Sequence, residues 1–222
     1  MYCPKGQQTC IWLGQDLVTK VFINKSIMKK LFLFLPLFLL TASSNLNDIN
    51  VDKTIYKVYY SQRFEQPLEL TYESTNRPTN VNRGSMDFYV EPGVKTSDNA
   101  DYANNIYDKG HLAPAATFSD NMENLKLTFS YLNSALQNQY LNRGEWRLLE
   151  EQERKWDDVE NLTIKINVDF KGATQVLPTG ATVPTGFTKH IYFKNQRVWK
   201  CYYFPNTKPT KKWGEHLIKC TH

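Results

Sequence analysis

Asp108-Lys109-Gly110-His111 is followed, thirty-one residues after its histidine, by Asn142-Arg143-Gly144-Glu145-Trp146 and then by Glu150. The first block sets an imidazole beside a fixed positive charge. The second sets an amide oxygen and a carboxylate near the start of an amphipathic helix. Such residues can attack a phosphodiester: a base for water, a seat for a hard metal ion, and cations for phosphate charge. Either block alone is weak evidence, because short polar strings recur by chance. The two in this order and spacing are strong evidence.

Each candidate also has a plainer reading. An unperturbed imidazole titrates near pH 6.5, so His111 can take a proton from water at neutral pH. A lone histidine is usually structural, and His190, His216 and His222 keep that reading; the flanking residues turn His111 towards catalysis. Asn142 precedes a helical run, where asparagine is a favoured N-cap. It is also a sufficient metal ligand, since Mg²⁺ keeps several waters and needs few protein donors. On a straight helix Trp146 and Glu150 follow Asn142 on neighbouring ridges, drifting by only about 80°. A solvent-facing acid fits Glu151 and Glu153 better than Glu150. Lys109 and Arg154 are candidate phosphate contacts, and Arg83 is a weaker one. Asp108 reads as a residue that holds the loop, and Gly110 as one that permits backbone geometry a side chain would obstruct. The tyrosines at 59, 60, 131, 202 and 203 read first as core.

The elements that must position these residues are short. Residues 54–60 and 68–72 alternate and are rich in β-branched and aromatic side chains, so they read as strands. Residues 45–54 read as a loose tail, 87–90 as a short strand, 95–107 as a polar connection, and 127–132 as a strand. The best helix spans about 141–159, with Trp146, Leu148, Leu149, Trp156 and Val159 as its inward stripe. Residues 163–170 read as a strand, and 187–193 with 198–204 as a hairpin. The sum is an α+β fold: a central antiparallel sheet with one long helix.

At this point the chain resembles the DNA/RNA non-specific endonucleases of the ββα-metal, or His-Me finger, superfamily, the group that includes endonuclease G. Their Asp-Arg-Gly-His-x-Ala-Pro signature reads here Asp108-Lys109-Gly110-His111-Leu112-Ala113-Pro114. Their second block reads Tyr131-Leu132-Asn133-Ser134-Ala135-Leu136-Gln137 and then Leu141-Asn142-Arg143-Gly144-Glu145-Trp146-Arg147-Leu148-Leu149-Glu150. Val183-Pro184-Thr185-Gly186-Phe187-Thr188-Lys189 and Phe204-Pro205-Asn206 continue the likeness. Two departures stand out: lysine replaces the usual arginine at 109, and the proline near Leu136 is missing. Lysine keeps the charge but loses the bidentate fork.

The resemblance implies a ββα-metal finger fold and Mg²⁺-dependent hydrolysis of DNA and RNA (with Mn²⁺ as an alternative ion), leaving 5′-phosphate ends. It implies His111 as general base, Asn142 as the direct metal ligand, Glu150 as a carboxylate ordering the ion's waters, and Lys109 and Arg154 on phosphate. It places Asn133 near the metal cluster, and a homodimer is compatible with it. A weak or idle nucleic-acid-binding relative, and a phosphodiesterase acting on small nucleotides, are the alternatives.

Length and charge set the context. The 222 residues suffice for one substantial core. Met28-Lys29-Lys30, the apolar run from 31 to 40 and the small residues at 41–44 have the layout of a secretory signal peptide. The division expected is therefore residues 1–27 as an upstream artefact or extended n-region, 28–43 as the signal, and 44–222 as one domain, secreted or periplasmic, with no membrane attachment once the signal is removed. Residues 44–153 carry ten basic and sixteen acidic groups, and residues 154–222 carry twelve and five. That distribution excludes a global basic field and leaves a local basic strip, whose affinity for nucleic acid should fall with salt. Cys201 and Cys220, nineteen residues apart, read as a disulfide contributing about 3 kcal/mol by loop entropy.

Overall fold

Apolar residues at every second position build the main sheet. The computed structural model describes residues 47–221; the segment expected as a signal, 28–43, and the residues before it lie outside them. In chain order the elements are β1 (Asp48–Lys53), β2 (Tyr56–Ser61), β3 (Gln66–Ser74), β4 (Tyr107–His111), α1 (Met122–Thr128), β5 (Ser134–Asn138) and α2 (Gln139–Leu141). A π-turn, Asn142–Trp146, then leads into α3 (Arg147–Asp157), followed by β6 (Leu162–Asp169), β7 (Gly186–Phe193), β8 (Val198–Pro205) and β9 (Leu217–Ile218). Seven strands form one antiparallel sheet in the order β1-β2-β3-β6-β7-β8-β9, while β4 and β5 pair by themselves. The result is an α+β fold in which a small hairpin leads, through α2 and the π-turn, into the longest helix.

Side-chain alternation makes one sheet face the core. Tyr56, Val58 and Tyr60 of β2, Leu162, Ile164 and Ile166 of β6, and Phe187, Ile191 and Phe193 of β7 are all buried. Leu141, Trp146 and Leu149 bring the helical segment onto that face. Trp146 is the largest wholly buried side chain, with its ring centroid 5.5 Å from Phe187 and 5.6 Å from Phe204. Removing a ring so packed costs roughly 3–5 kcal/mol. Cys201 and Cys220 form the disulfide that ties β8 to the last described residues. No helix among the described residues is long and apolar enough to cross a membrane.

Several local expectations need correction. Residues 48–53 are a strand: Ile49 and Val51 pack on the core while their neighbours face water, enough for an edge strand on β2. Residues 87–90 form only a single bridge, Tyr89 to Ser130. The stretch 127–132 begins as helix, because Asn121 caps α1 through the Asn124 N–H and buries Leu125 and Thr128 on one face. The polar run before Asp108 contains the start of β4 itself, at Tyr107. Finally, the long helix expected over 141–159 runs from Gln139 to Asp157 and is kinked within. Gly144, at φ −107° and ψ −114°, breaks it, and the π-turn resets the phase of everything after it. Val159 lies beyond the end of the helix at Asp157 and is 80 % exposed.

Candidate active site

The site starts at the β4–β5 hairpin, which pairs Asp108 with Gln137, Lys109 with Leu136, Gly110 with Ala135 and His111 with Ser134. Gly110 is needed there. A Cβ at 110 would lie 2.6 Å from Gln137 Cβ, so any side chain would push the two strands apart. The chain then leaves β5 into the helical segment that carries Asn142.

His111 ends β4. Its ring lies 4.7 Å from Phe88 and 5.0 Å, edge-on, from Phe129. Nε2 is shut off from solvent and has no hydrogen-bond partner among the described residues. Burial holds its pKa down to about 3, with the nearby Arg83 adding to the effect. The imidazole is therefore neutral throughout the physiological range, with a nitrogen free to accept. Arg83, weakly indicated by sequence, is thus brought to the site; its guanidinium lies 5.0 Å over the Phe129 ring.

Lys109 is brought to the same aromatic wall, 5.6 Å over both Phe88 and Tyr131. Its ammonium is engaged: Nζ lies 2.7 Å from Asp87 Oδ1 and donates to Asn99 Oδ1 as well. That contact holds the Asp87 carboxyl below the usual carboxylate range. A phosphate taken by Lys109 must compete with Asp87.

Asp108, the next residue back, serves Asn142 instead. Its Oδ2 accepts from Asn142 Nδ2 at 2.9 Å and from Arg143 Nε at 2.8 Å, while Oδ1 accepts from Arg143 NH2 at 2.6 Å. With Nδ2 committed, the amide of Asn142 is oriented and its oxygen is the atom left to ligate. Asp108 so holds the helix entry rather than only its own loop.

Glu150 lies on α3, and its Oε1 is shut off from solvent without a partner among the described residues. Burial pushes its pKa up to about 7, against the opposing pull of Lys189 and Arg154. Beneath it sits an ion pair that charge patterning did not anticipate. Lys189 and Glu153 are both buried, 2.9 Å apart, with Tyr72 donating to the second glutamate oxygen at 2.8 Å. The Lys189 ammonium also lies 4.1 Å from the Trp146 ring centroid. Glu153 is therefore a core acid and not a solvent-facing one. Arg154 lies beside Glu150 and lines a cleft of about 400 Å³ with Arg77, Thr117 and Lys155.

Asn133 is tied to the backbone through both ends of its amide. It is fully buried, its Oδ1 accepts from Ala113 N at 2.7 Å, and its Nδ2 donates to Ala113 O and Thr128 O at 2.9 and 2.8 Å. All three of these hydrogen bonds run to the backbone, and the side chain is shut off from solvent. It clamps the loop that follows His111. Gln137 has no role legible from sequence beyond its place in the second motif. It is wholly buried opposite Asp108, with both amide atoms lacking a partner among the described residues.

The chemistry of Asn142 fits a hard cation: its amide oxygen is oriented by the bond from Nδ2 to Asp108, and an ion that keeps its waters needs few such donors. Gln137 and Glu150 also carry buried polar atoms with no partner among the described residues. Among the described residues no group of three or more His, Cys, Asp or Glu side chains is arranged to hold a metal. A site of this kind needs no such group.

A histidine-bearing β-hairpin running into a helix with an amide and a carboxylate defines the ββα-metal finger class of nuclease. Residues 36–220 match the model of the DNA/RNA non-specific endonuclease family, and the chain belongs to that family. It is 37 % identical over 76 residues to endonuclease G, mitochondrial, of Bos taurus, a stretch covering 33 % of this chain and 25 % of that protein. The chain thus matches only a quarter of the length of that relative. Its fold is similar to a chain in the crystal structure of the EndoG/EndoGI complex, with a TM-score of 0.67 at 23 % identity, covering 78 % of this chain and 81 % of the other.

Proposed function

We propose that the protein is a Mg²⁺-dependent endonuclease hydrolysing phosphodiester bonds of DNA and RNA with little sequence preference and leaving 5′-phosphate ends. The observation that carries this reading is the hairpin itself. It ends in a neutral imidazole whose Nε2 has no partner among the described residues, and three residues earlier it fixes the Asn142 amide through Asp108.

His111 takes the proton from the attacking water. Asn142 would hold the ion through its oxygen, with Asp108 keeping the amide from flipping, and Glu150 and Gln137 would orient water near it. The ion, when bound, supplies positive charge to the scissile phosphate and the leaving oxygen. Arg83 and Arg154 flank the phosphate, and Lys109 joins them once it is released from Asp87. Phe88 and Phe129 pack against the imidazole and, by burying it, keep it uncharged. Contacts to the phosphate backbone rather than to base edges explain indifference to sequence.

One observation favours a weaker enzyme than the signature suggests: Lys109 is already neutralised by Asp87. Digestion of single- and double-stranded DNA and RNA in Mg²⁺, and again with EDTA, tests the proposal. Chelator-sensitive cleavage of long polymers, lost in His111→Ala, supports it. Cleavage of a chromogenic phosphodiester with long polymers left intact would replace it with a small-nucleotide phosphodiesterase. The signal layout at 28–43 leads us to propose secretion, which is tested by finding the processed chain outside the cell or in the periplasm.

A further inference from the structure

The segment after β8 is unusual in where it is fastened. At one end Asn206 is buried and reaches the catalytic hairpin. Its Oδ1 accepts from Asn138 N at 2.7 Å, and its Nδ2 donates to Leu136 O and Pro184 O, each at 2.9 Å. At the other end the Trp213 N–H donates to Glu145 Oε2 at 2.6 Å, inside the π-turn that begins at Asn142. The Trp213 ring packs edge-on against Trp156 of α3 and Tyr202 of β8, 5.9 Å from each. Between the two anchors Lys208 lies 5.1 Å over the exposed ring of Tyr140. Residues 206–213 are thus strapped over residues 136–145, bracketing Asn142 in sequence on both sides.

The strap reads Asn206-Thr207-Lys208-Pro209-Thr210-Lys211-Lys212-Trp213: three lysines and no acid. All three lysines are exposed, and none takes part in an ion pair formed among the described residues. Three cations near this turn are neutralised: Arg143 by Asp108, Arg147 by Glu151 and Lys109 by Asp87. The strap therefore adds three cations without an ion pair among the described residues beside a turn whose own charges are balanced. Holding exposed lysines on a rigid strap lowers the ordering cost of contacting a polyanion.

We propose that residues 207–212 form a second, non-catalytic contact surface for the nucleic-acid backbone, taking phosphates that flank the scissile one on the Asn142 side. The inference rests on the nuclease reading. It also gives a use to three of the twelve basic residues of 154–222. Phosphate contacts of this kind position the polymer without reading its sequence.

The test is binding of a labelled short DNA duplex, followed by anisotropy in EDTA over a salt series. The full chain is compared with its Lys208→Gln/Lys211→Gln/Lys212→Gln variant. The slope of log affinity against log salt should become shallower by about 2 to 3 in the variant, on the order of 0.9 for each phosphate that is no longer neutralised. Affinity at low salt should fall about tenfold or more, and the Lys→Arg triple variant should restore it. The thermal midpoint should not move, since all three side chains lie on the surface. Equal slopes and affinities, in a protein that still cuts DNA in Mg²⁺, would overturn the strap and leave the nuclease reading standing. No binding by either protein, together with no cleavage, would overturn both.

Discussion

Asp108 Oδ2 accepts a hydrogen bond from Asn142 Nδ2 at 2.9 Å, joining the strand that carries the proposed base to the turn that carries the proposed metal ligand. An amide has two similar ends, and only one can ligate a cation. The carboxylate decides which end faces outward.

Asp108→Ala should therefore weaken ion binding without removing the ligand. Outer partners of metal ligands typically contribute 10–100-fold in affinity or activity. The Mg²⁺ concentration for half-maximal digestion should rise by about that range, with cleavage recovered at high Mg²⁺. An unchanged Mg²⁺ dependence would separate Asp108 from the site.

The pH dependence should be set by Glu150 rather than by His111. The base is held neutral down to about pH 3, whereas the carboxyl gains its proton at about 7. Since kcat/KM reports groups of the free enzyme, its acid limb should fall near pH 7 and disappear in Glu150→Gln, at a lower plateau. The sign for stability is opposite to that of an ordinary ion-paired acid. A folded pKa raised above the unfolded value of about 4.3 contributes stability that is full below that pH and is lost as pH rises through about 7. Glu150→Gln should thus be more stable at pH 8 by about 1 to 2 kcal/mol, a trade of activity for stability. A limb that stays near pH 7 in this variant assigns it to another group.

Asn133→Ala should act on folding. The substitution deletes three buried hydrogen bonds and orphans the Ala113 N–H and two carbonyls, which costs on the order of 2–4 kcal/mol. A lowered thermal midpoint is the expected readout. A variant with wild-type stability and no activity would instead make Asn133 part of the chemistry.

The Lys189–Glu153 pair should show the asymmetry of buried charges. Lys189→Met leaves Glu153 buried with only Tyr72 as partner, a loss of about 3–5 kcal/mol. Lys189→Met combined with Glu153→Leu should recover much of it, because neither charge is then stranded. Urea melts of the three proteins decide this.

Freeing Lys109 should strengthen substrate binding. Asp87→Asn removes the carboxylate that lies 2.7 Å from Nζ. KM for DNA should fall several-fold at low salt and little at high salt, because the contact lies near the surface and is screened. An unchanged KM at low salt would show that Lys109 does not reach phosphate.

Much of the molecule was legible in the chain because local rules suffice for it. Period-two alternation sets β2, β3, β6 and the β7–β8 hairpin, since each strand has one wet and one dry face whatever its neighbours. The order Asp108–His111 then Asn142–Glu150 identifies the class, since residue type and spacing along the backbone carry that chemistry. Other features depended on partners far away in sequence. β4 and β5 are too short and too polar to announce themselves, and only their mutual pairing makes them strands. Glu153 looks like a surface acid until Lys189, thirty-six residues later, is folded beneath it. The π-turn at Gly144 shifts the helix phase by an amount no 3.6-residue count contains. Whether Lys109 is free, what Asn133 holds and where the C-terminal lysines lie are questions about through-space neighbours. Hydrogen bonds and ion pairs act over a few ångströms of space, which a linear spacing does not measure, so those answers came only with the folded chain.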